Sequence, residues 1–309
     1  MTATQHTPDS PDGLQNGIPP APDVPFRSYS CRFSLAAGGL VNWHWHDEIE
    51  LCRVKKGRVH CHTSGSRILL EPNQYLFVNS GVLHMYEPEK GSEDAETETI
   101  LFHPALIVDP ASPLFARYVS PLADCRAIPF FPLSGDGAWL ASARSLFDEI
   151  YHLDRQRFGW ELICRDLVCR LWLLMAESLS PGTQTVASAE SALVNDQRAK
   201  KMLSFIHQRY HEDLTIDTIA AAASVSRSEC FRCFRRSINK KPIEYLTEYR
   251  IEQAIGLLRG SDLTITDICY RSGFSSPSYF GKVFRSVTGM PPRSYRHEME
   301  RLLKSQPAD

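Results

Sequence analysis

Apolar residues along this chain change their period twice. Between Phe26 and about His103 they alternate with polar ones in short runs broken by Gly, Asn and Pro: Tyr29 to Leu35, Glu48 to Val54, Arg58 to His62, Ile68 to Leu70, Tyr75 to Val78 and Thr97 to Phe102. A period of two over many short segments predicts the strands of a small barrel or sandwich. Beyond a Pro-rich passage at 104–132, Trp139, Ala143, Leu146, Ile150 and Leu153 recur at three-and-four spacing, and so do Trp160, Ile163, Leu167, Leu171 and Leu174. That period predicts two helices joined near Arg155 to Gly159 as a hairpin. Their apolar faces can pack on the barrel or form a dimer seam; the seam is favoured because few other apolar surfaces remain.

The final third is helical throughout, and it contains one pattern written twice. Leu214-Thr-Ile-Asp-Thr-Ile219-Ala220 answers to Leu263-Thr-Ile-Thr-Asp-Ile268-Cys269, and Phe234-Arg235-Arg236 with Pro242 and Tyr245 answers to Phe284-Arg285-Ser286 with Pro292 and Tyr295. Each copy reads as a short helix, a turn (Ser224 to Ser226; Gly273 to Ser275) and a second helix (Arg227 to Ile238; Ser276 to Val287). On a helical wheel at 100° per residue, Cys230, Cys233 and Phe234 cluster on one side of the first of these helices, opposite Ser228, Arg232 and Arg235. In the second copy Phe280, Val283 and Phe284 cluster opposite Ser278, Lys282 and Arg285. Each exposed face is a small hydroxyl followed by two cations, which suits insertion into a DNA major groove. Phe231 and Gly281 flank these faces at the same position and join the DNA-contacting set. A solvated face is the bland alternative, but recurrence in both copies favours DNA. Cys230-x-x-Cys233 resembles a redox or zinc pair, yet both thiols fall on the buried side, so core packing is expected. The amphipathic segment from Pro242 to Gly260 would set the distance between the two units; about 34 Å would place them in successive major grooves.

Charge adds to this picture. From Asn195 onward there are 19 Lys+Arg against 13 Asp+Glu, a balance of +6; the rest of the chain has 15 against 23, or -8, which together give the formal net charge of -2. A basic C-terminal third fits contact with phosphates. Nine cysteines, odd in number and scattered, argue for reduced thiols rather than a disulfide framework. With no signal peptide and no long apolar run, a cytoplasmic protein without membrane contact is expected.

The second copy resembles the AraC family of transcriptional regulators over a long pattern: Tyr249-Arg250-Ile251-(x)2-Ala254-(x)2-Leu257-Leu258, Ile265-(x)2-Ile268-Cys269, Ser272-Gly273-Phe274-Ser275, Ser278-Tyr279-Phe280-(x)3-Phe284-Arg285 and Thr288-Gly289-Met290-x-Pro292-(x)2-Tyr295-Arg296. Cys269 replaces the usual alanine, and Asn239 stands in the first unit where glycine is common. The resemblance implies a transcription factor that binds asymmetric promoter sites on double-stranded DNA through both units.

In the N-terminal part, Gly38-(x)5-His44-x-His46-(x)3-Glu50-(x)6-Gly57 resembles the first cupin motif with every spacing kept. The second motif is partial: Asn79-x-Gly81-(x)2-His84 has asparagine in the proline position, Asn73 in a glycine position and Pro88 in the final asparagine position. The resemblance implies that His44, His46, Glu50 and His84 converge inside a barrel. Three imidazoles and a carboxylate could ligate a divalent Mn, Fe, Ni or Zn ion, or could line a polar pocket that takes its effector without metal. The family resemblance favours the second reading. Trp43 and Trp45 alternate to the opposite face, where core packing is expected.

The fold class is therefore α+β multidomain, with an N-terminal cupin-like β-barrel plus helical hairpin and a C-terminal all-α double helix-turn-helix domain. Its parts are a tail at 1–25, an effector-sensing barrel at 26–105, a dimerising hairpin at 106–178, a linker at 179–194, the DNA-binding domain at 195–300 and a tail at 301–309. The favoured function is a non-enzymatic, homodimeric regulator of promoter DNA that responds to a small molecule such as a sugar or related metabolite, with RNA polymerase as a further candidate partner. A metal-dependent cupin enzyme fused to a DNA-binding module is the alternative; a cupin part that serves only for assembly is a third.

Overall fold

The fold is that of a computed structural model, which describes residues 24–33, 41–92, 94–125, 127–133, 138–178 and 189–305. Most of the N-terminal tail, Gly38 and the linker up to residue 188 lie outside those residues. Strands β1 (Phe26–Arg32), β3 (Ile49–Lys56), β6 (Tyr75–Val78), β8 (Glu96–Phe102) and β9 (Phe130–Leu133) form an antiparallel sheet in the order β1-β8-β3-β6-β9. A second antiparallel sheet runs β2-β7-β4-β5, from β2 (Val41–His44), β7 (His84–Pro88), β4 (Val59–Thr63) and β5 (Ser66–Leu70).

Alternation decides what each face meets. On β3, Cys52 and Val54 point between the sheets and join Cys61, Leu76, Val78 and Tyr86, whereas Ile49 and Leu51 point the other way, towards helices. Strands covered on both faces read as nearly continuous apolar runs, which is why Tyr75 to Val78 shows no polar position.

The helices behind the first sheet are α1 (Pro113–Tyr118), α2 (Ser120–Ala123), α3 (Ala138–Tyr151) and α4 (Trp160–Ser178). Leu146, Phe147 and Ile150 of α3 and Leu171, Trp172 and Met175 of α4 share one core with Ile49, Phe77 and Phe102 of the sheet. Hairpin and first sheet are thus one packing unit. The outer side of α4 still presents Leu162 at 73% exposure and Leu173 at 48%.

The C-terminal part is α5 (Ala189–Arg209), α6 (Ile216–Ala222), α7 (Arg227–Ile238), α8 (Pro242–Gly260), α9 (Ile265–Arg271), α10 (Pro277–Thr288) and α11 (Pro292–Ser305). Two boundaries depart from the expectation. Helix α5 begins inside the stretch read as linker, because its first turn of Ala, Glu and Ser carries no large apolar side chain to reveal a period, and α11 runs on into the stretch read as a tail. Among the described residues, no helix is long and apolar enough to cross a membrane.

Capping repeats with the sequence. Thr215 and Thr264 accept hydrogen bonds from the backbone N–H of Thr218 and Asp267 at the starts of α6 and α9; Ser226 and Ser276 do the same for Glu229 and Tyr279 at α7 and α10. Ser224, at φ 54°, turns the first unit through the left-handed region, and Gly273, at φ 82°, turns the second. Gly273 has a further reason to lack a side chain: a Cβ there would sit 2.5 Å from the Tyr210 carbonyl oxygen and 2.9 Å from His211 Cα. Beside it Arg250 of α8 donates to the carbonyls of Tyr210 and Glu212, each at 2.7 Å, tying the second unit back to the end of α5.

Candidate functional site

The DNA-facing surface follows from the packing of α7 and α10. Cys230, Cys233 and Phe234 are buried with Ile219 and Ala220 of α6; Phe280 and Phe284 are buried with Ile268 and Cys269 of α9. That orientation leaves Ser228, Phe231, Arg232 and Arg235 exposed on α7, and Ser278, Lys282 and Arg285 exposed on α10, with Gly281 half-buried. Arg232 is ion-paired with Glu229 one turn back, whereas no ion pair is formed by Arg235, Lys282 or Arg285 among the described residues. Burial pushes the Cys230 thiol up to about 11, so the Cys230–Cys233 pair is a packed pair of neutral thiols.

The second constellation lies between the sheets. His44 and His84 are directly opposite on β2 and β7, with ring centroids 4.1 Å apart, and His46 and Glu50 complete the group from the β2–β3 connection and β3. All four are at least 94% buried, and one ligand atom from each lies within 4.8 Å of the others.

Hydrogen bonding settles how the rings are turned. His44 Nδ1 lies 2.7 Å from the Asn42 carbonyl, His46 Nδ1 2.9 Å from that of Glu48 and His84 Nδ1 2.8 Å from that of Val82. A carbonyl can only accept, so each Nδ1 carries a proton and donates, and each ring turns its Nε2 inward. Among the described residues, His44 Nε2 and His84 Nε2 have no hydrogen-bond partner. His46 Nε2 and Glu50 Oε2 are 3.1 Å apart, and His84 Nε2 is 3.4 Å from the same oxygen. Lone pairs facing a carboxylate at that range need a shared positive charge, either an extra ring proton or a metal ion.

Burial alone would raise the Glu50 carboxyl, but the hydrogen bond with His46 and the close approach of the His84 ring hold it well below the ordinary range; burial, then His84 and His46, keep His44 neutral. Tyr86 donates from Oη to Glu50 Oε1 at 2.6 Å and fixes the carboxylate. Sequence reasoning missed Tyr86, although its place two residues after His84 on a strand puts it on the same face. The nearby Cys31 thiol is pushed up to about 12 by burial and then Glu50, so it offers no thiolate ligand.

Metal ligands at about 2.0 to 2.2 Å from an ion stand roughly 3 to 4.4 Å from one another. The four groups therefore fit a divalent cation after a small contraction, and two orphaned imidazole nitrogens gain a partner by it.

A two-sheet sensor domain with a buried polar cluster, joined to two helix-turn-helix units with cations on their free faces, defines a ligand-responsive DNA-binding protein. Residues 35–168 match the AraC-like ligand binding domain family, and residues 219–298 match a helix-turn-helix domain family. The chain is 31% identical over 274 residues to the uncharacterized HTH-type transcriptional regulator YdeC of Bacillus subtilis (strain 168), spanning 89% of this chain and 92% of that one. Among solved structures, ToxT from Vibrio cholerae O395 aligns over 89% of this chain and 98% of its own at 13% identity and a TM-score of 0.46. The DNA-binding domain of AdpA, in complex with a target DNA, aligns over 35% of this chain and 97% of its own at 29% identity and a TM-score of 0.34. The chain belongs to the AraC family of transcriptional regulators: a DNA-binding regulator whose N-terminal domain is of the effector-binding kind.

Proposed function

We propose that this regulator reads promoter DNA with Ser228, Phe231, Arg232 and Arg235 in one major groove and Ser278, Gly281, Lys282 and Arg285 in the next. The observation that carries the reading is the matched pair of exposed faces on two buried-backed helices. Because Phe231 and Gly281 differ, the two halves of the DNA site differ as well. Lys282→Ala is expected to weaken binding to a duplex selected from a random library by about 5- to 150-fold, the worth of a base contact, or to lower the salt slope by about 0.9 if it meets a phosphate. Arg232→Ala is expected to cost less, since Glu229 already holds that cation. Unchanged affinity and slope in both variants, with the fold intact, would defeat the face assignment.

The small-molecule effector enters the N-terminal domain at His44, His46, Glu50 and His84, and the cluster holds a divalent cation. The inward Nε2 atoms and the two orphaned ones support this over a metal-free pocket. A bound ion would supply Lewis acidity and an open coordination position; the chain's part is to hold three Nε2 atoms and one carboxylate in place. The same feature keeps a cupin enzyme as the second reading. Metal content of purified protein, then regulation in a Glu50→Gln variant, tests both: no stoichiometric metal together with intact regulation removes the enzyme and the bound cation alike. The exposed Leu162 and Leu173 on α4 support a homodimer seam. Nine free cysteines support a cytoplasmic setting.

A further inference from the structure

Strands β2 and β7 have two working faces. His44 and His84 point inward to the cluster, while Trp43, Leu83 and Met85 point outward into a single apolar cluster with Ala199, Met202, Leu203 and Ile206 of α5 and with Cys230, Cys233 and Phe234 of α7. Only the thickness of one sheet separates the imidazoles from the packing of the first helix-turn-helix unit.

Two hydrogen-bonded routes run the same way. His44 donates from Nδ1 to the Asn42 carbonyl, and the Asn42 side-chain amide donates to Glu252 of α8 at 2.6 Å. The His46 carbonyl accepts from Gly81 N–H at 2.8 Å, and the Gly81 carbonyl accepts from Lys200 of α5. Lys200 also lies over the Trp45 ring, 5.7 Å from its centroid. Two of the inward groups are thus tied, through one residue each, to the helices that carry and space the recognition helices.

We propose that a divalent cation is itself an effector of this regulator: its binding at His44, His46, Glu50 and His84 draws β2 and β7 together, reseats α5 and α8 against the sheet, and so changes affinity for DNA. This rests on the metal-centre reading given above. The drive is the gap between the present spacing, up to 4.8 Å, and the tighter spacing that coordination demands. A cation that binds the two seatings unequally shifts their populations, and by reciprocity DNA must change cation affinity by the same factor.

The test uses the full chain, stripped with chelator and titrated with Zn2+, Mn2+, Fe2+ or Ni2+ alone. Three quantities are read: bound metal per chain, fluorescence of the interface tryptophans, and affinity for a duplex selected from a random library. One ion per chain, a fluorescence change and at least about a fivefold change in DNA dissociation constant are expected. An Asn42→Ala, Lys200→Met double variant, which keeps the carbonyls that hold the rings, is expected to bind the ion equally well and to lose most of the effect on DNA. No stoichiometric binding by the parent would overturn the metal-centre reading and this inference with it. Stoichiometric binding with less than a twofold change in DNA affinity would overturn this inference alone. Undiminished coupling in the double variant would overturn the route through Asn42 and Lys200.

Discussion

His207 connects packing in the first helix-turn-helix unit to pH. Its ring is 4% exposed, Nε2 lies 2.6 Å from Tyr245 Oη, its face stacks on Tyr249 at 4.2 Å between centroids, and Nδ1 has no hydrogen-bond partner among the described residues. Burial lowers its pKa from an ordinary 6.5 to about 3. Above pH 6.5 the ring is neutral whether the chain is folded or not, and contributes nothing to the pH dependence. Below it the unfolded chain takes up a proton that the folded one refuses, so stability falls as pH falls, down to about pH 3. At about 1.4 kcal/mol per pH unit, going from 6.5 to 5 costs about 2 kcal/mol. Amide hydrogen exchange in α5 and α8, corrected for intrinsic rates, measures the local opening free energy at pH 7 and pH 5. His207→Phe keeps a flat ring against Tyr249 and is expected to lose about 2 kcal/mol less than the parent across that interval. Equal losses in the two proteins would refute the reasoning that a buried neutral imidazole sets this pH dependence.

Two further outcomes follow from packing. Gly273→Ala forces a left-handed residue with a side chain against Tyr210 and His211, and strain plus displacement should cost about 3 kcal/mol, read as a lower urea midpoint for the helical domain and loss of DNA binding; a shift worth under about 1 kcal/mol would mean that the turn relaxes freely. Leu162→Asp with Leu173→Asp is expected to convert a dimer to monomer in sedimentation without unfolding, because both side chains already face solvent; a dimer unaffected by both charges would place the seam elsewhere.

The helix-turn-helix half was legible almost to the residue because its information is local. Caps at Thr215, Ser226, Thr264 and Ser276 and apolar positions three and four apart lie within single helices. The two-sheet half was legible where strands were long. The short strands β2 and β7 left no clear alternation, and the grouping of His44, His46, Glu50 and His84 came from the cupin resemblance; the chain breaks between β2 and β3, so His46 stands in the connection rather than on a strand shared with His44 and Glu50. Strand β9 was hidden in a Pro-rich passage, yet Pro132 is tolerated because β9 is the edge of its sheet. The destination of Trp43 was half-read: packing was expected, but the partners are in the DNA-binding domain rather than the barrel. That contact joins residues far apart in the chain, and no window on the sequence carries it.

Helix α8 has 19 residues and spans about 28 Å at 1.5 Å per residue. Tyr245 and Leu246 root it in the first unit's core, and Ile251, Ala254 and Leu258 root it in the second's. A spacer fixed at both ends makes operator phase a matter of selection. One base pair added between the two half-sites turns the second away by about 34°, and about five place it on the far side of the duplex. Promoters of unequal spacing would then be distinguished by how readily their intervening steps bend or twist, at positions that no side chain of this protein touches.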